Sequence, residues 1–373
     1  MIAGAGPAGA TCALALQGSG LNVALVDKCQ FPRDKICGDS IPGPALKILR
    51  KVLPNSPKED LLPEDTNRIR SSTLLTSSGS RIDIHWKAEA YNCRRTSFDQ
   101  FLLHLVRDHT DIHVYEADKI DEVIAGDQVT LHLETSGRSL ECDLVIGCDG
   151  ANSIISQTLG NNQSINPESC IALRAYYKDV GSPEETNVFH LLKNIPGYFW
   201  IFPLGGGVFN VGMGLRKNVS DAKINIKEAF RSAIEENAMI REKFNHATIL
   251  SAIEGFKLPM GGYRGRISGQ RFMLAGDAAG LIDPLQGHGI DKAMHSGMLA
   301  AQLAVRCFRH HDFSETFISG YDDSVEKSIG KELRRNYRIM QLLYRLPWMI
   351  SLLAVVTTNK KVKDLLLKGF YIS

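Results

Sequence analysis

No two of the eight cysteines in this 373-residue chain (12, 29, 37, 93, 142, 148, 170 and 307) form a C-x-x-C pair. Zinc and iron–sulfur sites are commonly built on that spacing, so no metal is expected. No basic segment with a long apolar core precedes residue 4, which argues against a secretory leader and leaves a reducing cytoplasm as the simplest setting. A surplus of one charge is also missing. With 43 basic and 41 acidic residues the formal charge is only +2, so nucleic acid is not the expected main partner. No Ser-His-Asp set or cluster of paired carboxylates stands out. What is present is ordinary globular composition, 44% hydrophobic and 23% charged, over more chain than one core usually organises. Two interleaved domains are therefore expected.

Residues 271–297 read RFMLAGDAAGLIDPLQGHGIDKAMHSG. An apolar strand (272–275) ends in Gly276-Asp277, a turn of small residues follows, and glycines 287 and 289 open a helix at Ile290. A carboxylate at a strand end can hold a sugar-like hydroxyl chain, and free N–H groups at a helix start stabilise negative charge. Both features suit a flavin. At the other end of the chain, Gly4-Ala5-Gly6-Pro7-Ala8-Gly9 has the G-x-G-x-x-G spacing and runs into a helical stretch stopped at glycines 18 and 20. A second apolar strand (21–26) then reaches Asp27, with Lys28 beside it. Strand, glycine turn, helix, strand and acid over about 25 residues make a dinucleotide-binding unit, in which glycines admit a pyrophosphate and the acid meets a ribose. Only Met1, Ile2 and Ala3 precede the fingerprint, where such strands run about five residues, so a trimmed or misassigned start is expected.

Apolar positions 98, 101, 102, 105 and 106 describe a helix with one buried face, begun near Thr96 or Ser97 as a cap. A strand meander with turns at 126–127 and 136–137 returns through the apolar strand 144–146 to a second Asp-Gly, Asp149-Gly150. The expected architecture is α/β. A Rossmann-like FAD-binding domain (1–70, 96–160 and 265–320) is interleaved with an antiparallel substrate-binding sheet (71–95 and 161–264), and a helical C-terminal region (321–373) follows.

In their order and spacing, the fingerprint at 4–9, Asp149-Gly150 and Gly276-Asp277 resemble the flavoprotein group of aromatic hydroxylases, flavin halogenases and geranylgeranyl reductases. The resemblance spans nearly the whole chain. It implies that Gly4, Gly6, Gly9 and Asp27 hold the ADP half of FAD, that Arg95 in R-x-x-F-D approaches the cofactor and that Asp277 binds the ribityl chain. That group commonly continues D-G-x-x-S-x-V-R, but Ser156 stands at the arginine position here. This loosens the case for a standard NAD(P)H contact and leaves the reductant as NAD(P)H or another donor. Asp149 then serves the pyrophosphate or simply closes the sheet.

Two further segments select a branch. FPRDKICGD (31–39) resembles the P-x-x-K-x-C-G segment of geranylgeranyl reductases and their halogenase relatives, which implies that Cys37 and Gly38 lie beside the isoalloxazine. Its thiol would be a proton donor, a small apolar wall, or without chemical role. Tyr198, Trp200, Phe202 and Pro203, followed after eight residues by Gly212-x-Gly214, match the Y-x-W-x-F-P-x8-G-x-G signature of geranylgeranyl reductases. Read physically, this is a two-stranded ribbon with the three aromatics on one face, turning at Pro203 and the triple glycine. The face is either a substrate wall or core packing.

The resemblance implies reduction of isolated carbon–carbon double bonds in a prenyl or other hydrophobic substrate, with the cofactor carrying the hydride and His288 or Cys37 as candidate acids. The alternatives are an oxygen-using hydroxylase or halogenase acting on an aromatic metabolite, and an electron-transfer flavoprotein serving a quinone. From residue 324 onward, ten basic residues stand against three acidic ones beside the apolar run LPWMISLLAVV, which is too short to span a bilayer. That tail is either a peripheral membrane contact or the cap of a soluble core.

Overall fold

The computed structural model describes residues 1–57, 59–76, 79–160, 169–192, 197–216, 225–235, 237–262 and 265–346. Five short parallel strands form the first sheet, in the spatial order Phe272–Leu274, Val145–Gly147, Ile2–Ala3, Ala24–Val26, His113–Tyr115, with Ser268–Gly269 antiparallel on the outer edge. The first strand is as short as its sequence suggests. The second is shorter than its apolar run: glycines 18 and 20 hold left-handed backbone (φ 68° and 73°), and pairing starts only at Ala24. The strand leading to Asp149-Gly150 runs Val145–Gly147, one residue later than expected.

Strand order reverses between Ile2–Ala3 and Val145–Gly147, and a crevice opens beyond the carboxyl ends of parallel strands where that happens. Gly4, Asp27, Asp149, Gly276 and Asp277 all follow such carboxyl ends. The helices Pro7–Ala15, Arg95–His109 and Ile290–His310 pack together over this sheet. The expected cap at Thr96 or Ser97 is not used: the second helix starts at Arg95 without a side-chain cap, and the Ser97 hydroxyl donates to Asp65 (2.6 Å). The meander forms a separate three-stranded sheet, Ile120–Ala125, Val129–Leu133 and Ser139–Cys142.

The second large sheet has nine strands. It was expected to be antiparallel, but it is mixed, because Thr186–Leu191 runs parallel to Asn67–Leu75. Ser40–Pro42 also joins this sheet, ahead of residue 71. Its centre is the ribbon Gly197–Gly205 and Val208–Arg216, flanked by Ser169–Lys178. Alternation gives the ribbon two buried faces. Phe199, Ile201, Val211 and Met213 pack with Phe230 in one core; Trp200 and Phe202 pack with Ala172 in another. The turn belongs to Gly205, Gly206 and Gly207, all with left-handed backbone, whereas Pro203 stays within the strand at a bulge.

Beyond Glu315–Ile318 a helical run covers Gly320–Val325, a π-turn at Glu326–Gly330 and Lys331–Arg345. No described helix is long and apolar enough to cross a membrane. Residues 347–373, which carry most of the apolar run and the last basic residues, lie outside the described residues.

Gly297 sets the distance between the fingerprint helix and Ile290–His310, since a Cβ there would come 2.1 Å from the Ala8 carbonyl oxygen. The obstacle is backbone, which cannot swing aside. Gly297→Ala should lower stability by about 1–3 kcal/mol through overpacking, visible as a reduced urea midpoint with an unchanged m-value.

Candidate active site

The glycine loop is held by backbone contacts that leave no space for side chains. Gly4 adopts φ 99°, and a Cβ there would lie 2.4 Å from the Cys148 carbonyl oxygen; one at Gly9 would lie 1.8 Å from the Gly4 carbonyl oxygen. Gly6 caps the nine-residue helix Pro7–Ala15, and no side chain makes a cap hydrogen bond at the helix start. A bare helix N-terminus at the strand-order reversal is suited to a pyrophosphate. The Arg33 guanidinium lies 3.2 Å from where a Gly6 Cβ would stand, adding a cation at that position. The residues present therefore fit a dinucleotide. Asp27 is buried, and its carboxylate accepts from the Ala5 and Cys29 amides (2.7 and 2.9 Å), which fixes the loop against the second strand. Lys28 is exposed. Asp149 accepts from the Ile154 and Ile155 amides (2.8 and 3.4 Å) at the start of the helix Ile154–Leu159, whose cap is Ser153.

Loop 31–39 brings its charges over the crevice. The Lys35 ammonium pairs with Asp277 at 2.8 Å, across 242 residues of sequence. Arg95 is buried and donates twice to Asp99 (2.7 and 2.6 Å), while Arg33 reaches the same carboxylate at 3.0 Å. Burial disfavours both charges, but pairing outweighs it: Asp99 is held below the ordinary carboxylate range by Arg95, then Arg33 and Lys35, and Arg95 is held above its usual value. The Cys37 thiol lies beside the Arg95 guanidinium. Arg95, expected to approach the cofactor, thus stands with Arg33 and Asp99 directly behind Cys37. Arg33, Lys35 and Asp99 were not singled out from the sequence, although all three lie inside motifs that were.

The turn ahead of Ile290–His310 is tied from several directions. The Asp283 carboxylate accepts from the Leu285 and Gln286 amides (both 2.8 Å) and from Asn336 Nδ2 (2.6 Å) on Lys331–Arg345. Lys292 donates to Glu332 on the same helix (2.7 Å). His288 Nδ1 lies 2.8 Å from Asp291. Burial opposes a charged His288 ring, yet Asp291, with help from Asp283, holds its pKa above the ordinary value against Lys292. Gly289 precedes Ile290 as the helix cap, and a Cβ on it would lie 3.7 Å from Asp277 Oδ1. Gly276, Asp277, Gly287, Gly289 and His288 therefore share one edge of the crevice.

The ribbon closes the opposite side. Tyr198, Trp200, Phe202 and Phe189 form a continuous row with ring centroids 5.1–6.0 Å apart. Trp200 lies flat on Gly212, where a Cβ would be 2.0 Å from its ring, so the glycine is what admits the indole. A Cβ on Gly38 would meet Phe202 at 3.2 Å, and one on Gly287 would meet the Tyr198 hydroxyl at 2.7 Å. The row thus faces both the Cys37–Gly38 segment and the turn at 283–290. Pro203 pairs with Phe209 and belongs by alternation to the far face, away from this wall. Both polar atoms of the wall are used internally: the Tyr198 hydroxyl donates to the Gln286 carbonyl (2.6 Å) and Trp200 Nε1 to Asn210 Oδ1 (2.8 Å).

On the same face of the sheet as the wall lies Asp39, fully buried, whose carboxylate accepts from Tyr176 (2.9 Å) and Asn210 (2.8 Å). Neither Asp39 nor Asn210 was expected, though a lone asparagine in the apolar strand Val208–Arg216 is a legible sign of a buried hydrogen-bond hub.

A match to the family described as FAD binding domain covers residues 1–307. The chain is similar to a menaquinone reductase of Mycolicibacterium smegmatis, with 30% identity over 81% of this chain and 75% of that one. It is also similar to digeranylgeranylglycerophospholipid reductase 2 of Methanopyrus kandleri, with 27% identity over 90% and 83% of the two chains. Among solved structures, a geranylgeranyl bacteriochlorophyll reductase-like protein of Thermoplasma acidophilum superposes with a TM-score of 0.85 over 96% of this chain and 90% of its own, at 22% identity. The flavin-dependent halogenase CmlS gives 0.75 over 89% and 62%, at 24% identity. These likenesses of structure bear on the fold.

Two outcomes follow from this geometry. Asp277→Ala should reduce FAD occupancy of the purified protein at least about tenfold, the loss of one charged hydrogen-bond acceptor, read from the ratio of flavin to protein absorbance. Burial raises the Asp39 carboxyl from 3.8 to about 6, against the bonds from Asn210 and Tyr176 and the charges of Arg174 and Arg95. The folded chain then binds this proton more tightly than the unfolded chain, so the Asp39 contribution to stability falls as pH rises between those two values. Asp39→Asn should gain on the native chain by up to about 3 kcal/mol from pH 4 to pH 7, measured by urea unfolding at both.

Proposed function

We propose that this chain, which belongs to the geranylgeranyl reductase family of FAD-dependent oxidoreductases, reduces isolated carbon–carbon double bonds in a long hydrophobic prenyl substrate. The observation that carries this reading is the aromatic row 189, 198, 200 and 202. Its indole N–H donates to Asn210 and its one hydroxyl donates to the Gln286 carbonyl, so the surface it offers the crevice is mainly hydrocarbon. An isolated alkene has no carbonyl to polarise, and a wall of this kind asks for none.

Bound and reduced, FAD supplies the hydride. The protein's share is to orient the alkene and to keep water out. Gly4, Gly6, Pro7, Ala8 and Gly9 cradle the pyrophosphate, with Arg33 as an added cation, and Asp277 takes the ribityl chain once Lys35 yields or shares it. Cys37 and Gly38 flank the ring, opposite the turn at Gly287, Gly289 and Ile290. The proton for the second carbon is assigned to His288. Its pairing with Asp291 keeps the ring protonated to higher pH than a free imidazole.

A second reading has its own support. The menaquinone reductase named above favours a prenylquinone as the acceptor, a molecule with both a reducible ring and an unsaturated chain, and the second reading is reduction at the ring. One experiment separates these from oxygen chemistry. The purified flavoprotein is reduced without oxygen and given a prenylquinone, a prenyl phospholipid and aromatic metabolites, and products are weighed by mass spectrometry before and after exposure to air. The expected result is a gain of about two mass units that survives air. A gain that air reverses indicates ring reduction, and a gain of one oxygen atom, seen only with oxygen present, overturns the reductase reading.

A further inference from the structure

The aromatic wall and the Cys37–Gly38 segment are not simply in contact; one buried cluster joins them. Asn210 Nδ2 donates to both the Cys37 carbonyl and Asp39 Oδ2, each at 2.8 Å, while its Oδ1 accepts from the Trp200 indole. Tyr176 donates to the same Asp39 oxygen, and the Asp39 carbonyl accepts from the Cys93 amide (2.8 Å). In the register of the sheet, Tyr176, Asn210 and Phe202 form one cross-strand row, and Arg174, Gly212 and Trp200 form the next. Asp39 is thus held over the face that carries the wall. It holds left-handed backbone, φ 61°, a conformation that asparagine and aspartate tolerate best among residues with side chains. Its second oxygen, Oδ1, is buried without a hydrogen-bond partner.

None of these groups supplies an atom to the reaction proposed above, yet all of them converge on the two surfaces that bracket the flavin and its substrate. We propose that Asp39 and Asn210 are positioning residues: together they clamp the Cys37–Gly38 segment to the Trp200 indole and so fix where that segment sits against the edge of the aromatic wall. The proposal rests on the reading that this segment flanks the flavin. The charged and titratable groups around the clamp are Arg174 and Tyr176 from Ser169–Lys178, Arg95 from Arg95–His109, Arg94 against the Tyr176 ring, Cys93, and Asp34, which pairs with Arg174 at 2.7 Å. An amide at position 39 can accept the same two hydrogen bonds through its single carbonyl oxygen, with its NH2 group at the place of Oδ1. The clamp therefore depends on an acceptor at that point and not on the carboxylate's charge.

The test reads the segment directly. Apoprotein of the native chain and of Asn210→Ala, Tyr176→Phe and Asp39→Asn is alkylated with iodoacetamide at one fixed pH, and each cysteine is followed by peptide mass analysis. Cys37 and Cys29 are both half-buried and share the loop region, whereas Cys12 and Cys307 are buried, so three internal standards are available. Expected is a rise of about tenfold in the Cys37 rate for Asn210→Ala, which removes three hydrogen bonds, and about threefold for Tyr176→Phe, which removes one, changes that correspond to roughly 1.4 and 0.6 kcal/mol. Cys29, Cys12 and Cys307 should stay within twofold. Asp39→Asn should match the native chain at Cys37. FAD titration of the same proteins should rank their dissociation constants in the same order.

An unchanged Cys37 rate in folded Asn210→Ala overturns the clamp, as does a parallel rise at all four cysteines. Where Asn210→Ala does not fold, Tyr176→Phe decides by the same criteria. An Asp39→Asn protein as reactive at Cys37 as Asn210→Ala overturns the acceptor reading. No substrate enters these measurements, so a chain that reduced quinone rings in the assay above would still pass or fail them independently.

Discussion

The site depends on how closely three pieces of backbone approach one another at the carboxyl edge of the parallel sheet. Gly4 touches the Cys148 carbonyl, Gly9 touches the Gly4 carbonyl, and Gly297 brings Ile290–His310 against Ala8. Each contact is shorter than any side chain allows, so the fingerprint loop, the third strand end and the long helix form a rigid frame rather than a set of neighbours. The frame places Asp277, the helix start at Gly6 and the turn at 283–290 around one crevice. Everything polar in the crevice is then arranged upon it. Loop 31–39 lies across the opening with Arg33 and Lys35 bonded to carboxylates from distant parts of the chain, and the ribbon closes the other side.

Features that demand a particular residue type were legible in advance. The fingerprint glycines at 4 and 9 and Gly212 beneath Trp200 are positions where glycine fits and any side chain would collide. Their spacing survives in one dimension because each works through a short stretch of chain. The aromatic alternation at 198, 200 and 202 was legible for the same reason, since a period of two needs only one strand. Pro203 was misplaced because a bulge shifts the register between 203 and 205, and nothing local announces a bulge. The start of Arg95–His109 was misplaced because the helix begins without any side-chain cap and Ser97 turns its hydroxyl to Asp65 instead.

What the sequence concealed is the pairing of charges across long separations. Lys35 with Asp277, Arg33 with Asp99 and Asn336 with Asp283 each join residues that no periodicity connects. They become visible only when loops, turns and helices distant in sequence are brought together at the edge of the parallel sheet. The mixed character of the second sheet was hidden likewise: a parallel neighbour needs a crossover, and the sequence between Asn67–Leu75 and Thr186–Leu191 contains most of another domain.

A wall whose hydroxyl and indole N–H are both committed to the protein has a further property. It can tell molecules apart by outline only. A missing methylene in an apolar slot changes binding by about 1–3 kcal/mol, while a site that hydrogen-bonds its ligand can reject a near-copy far more strongly. Along the row from Phe189 to Tyr198, chains of different length or unsaturation would therefore be accommodated with similar ease, and the polar end of the molecule would go unread. Tolerance toward many related chains is the natural behaviour of such a surface, and any strict choice among them has to be made elsewhere along the path to it.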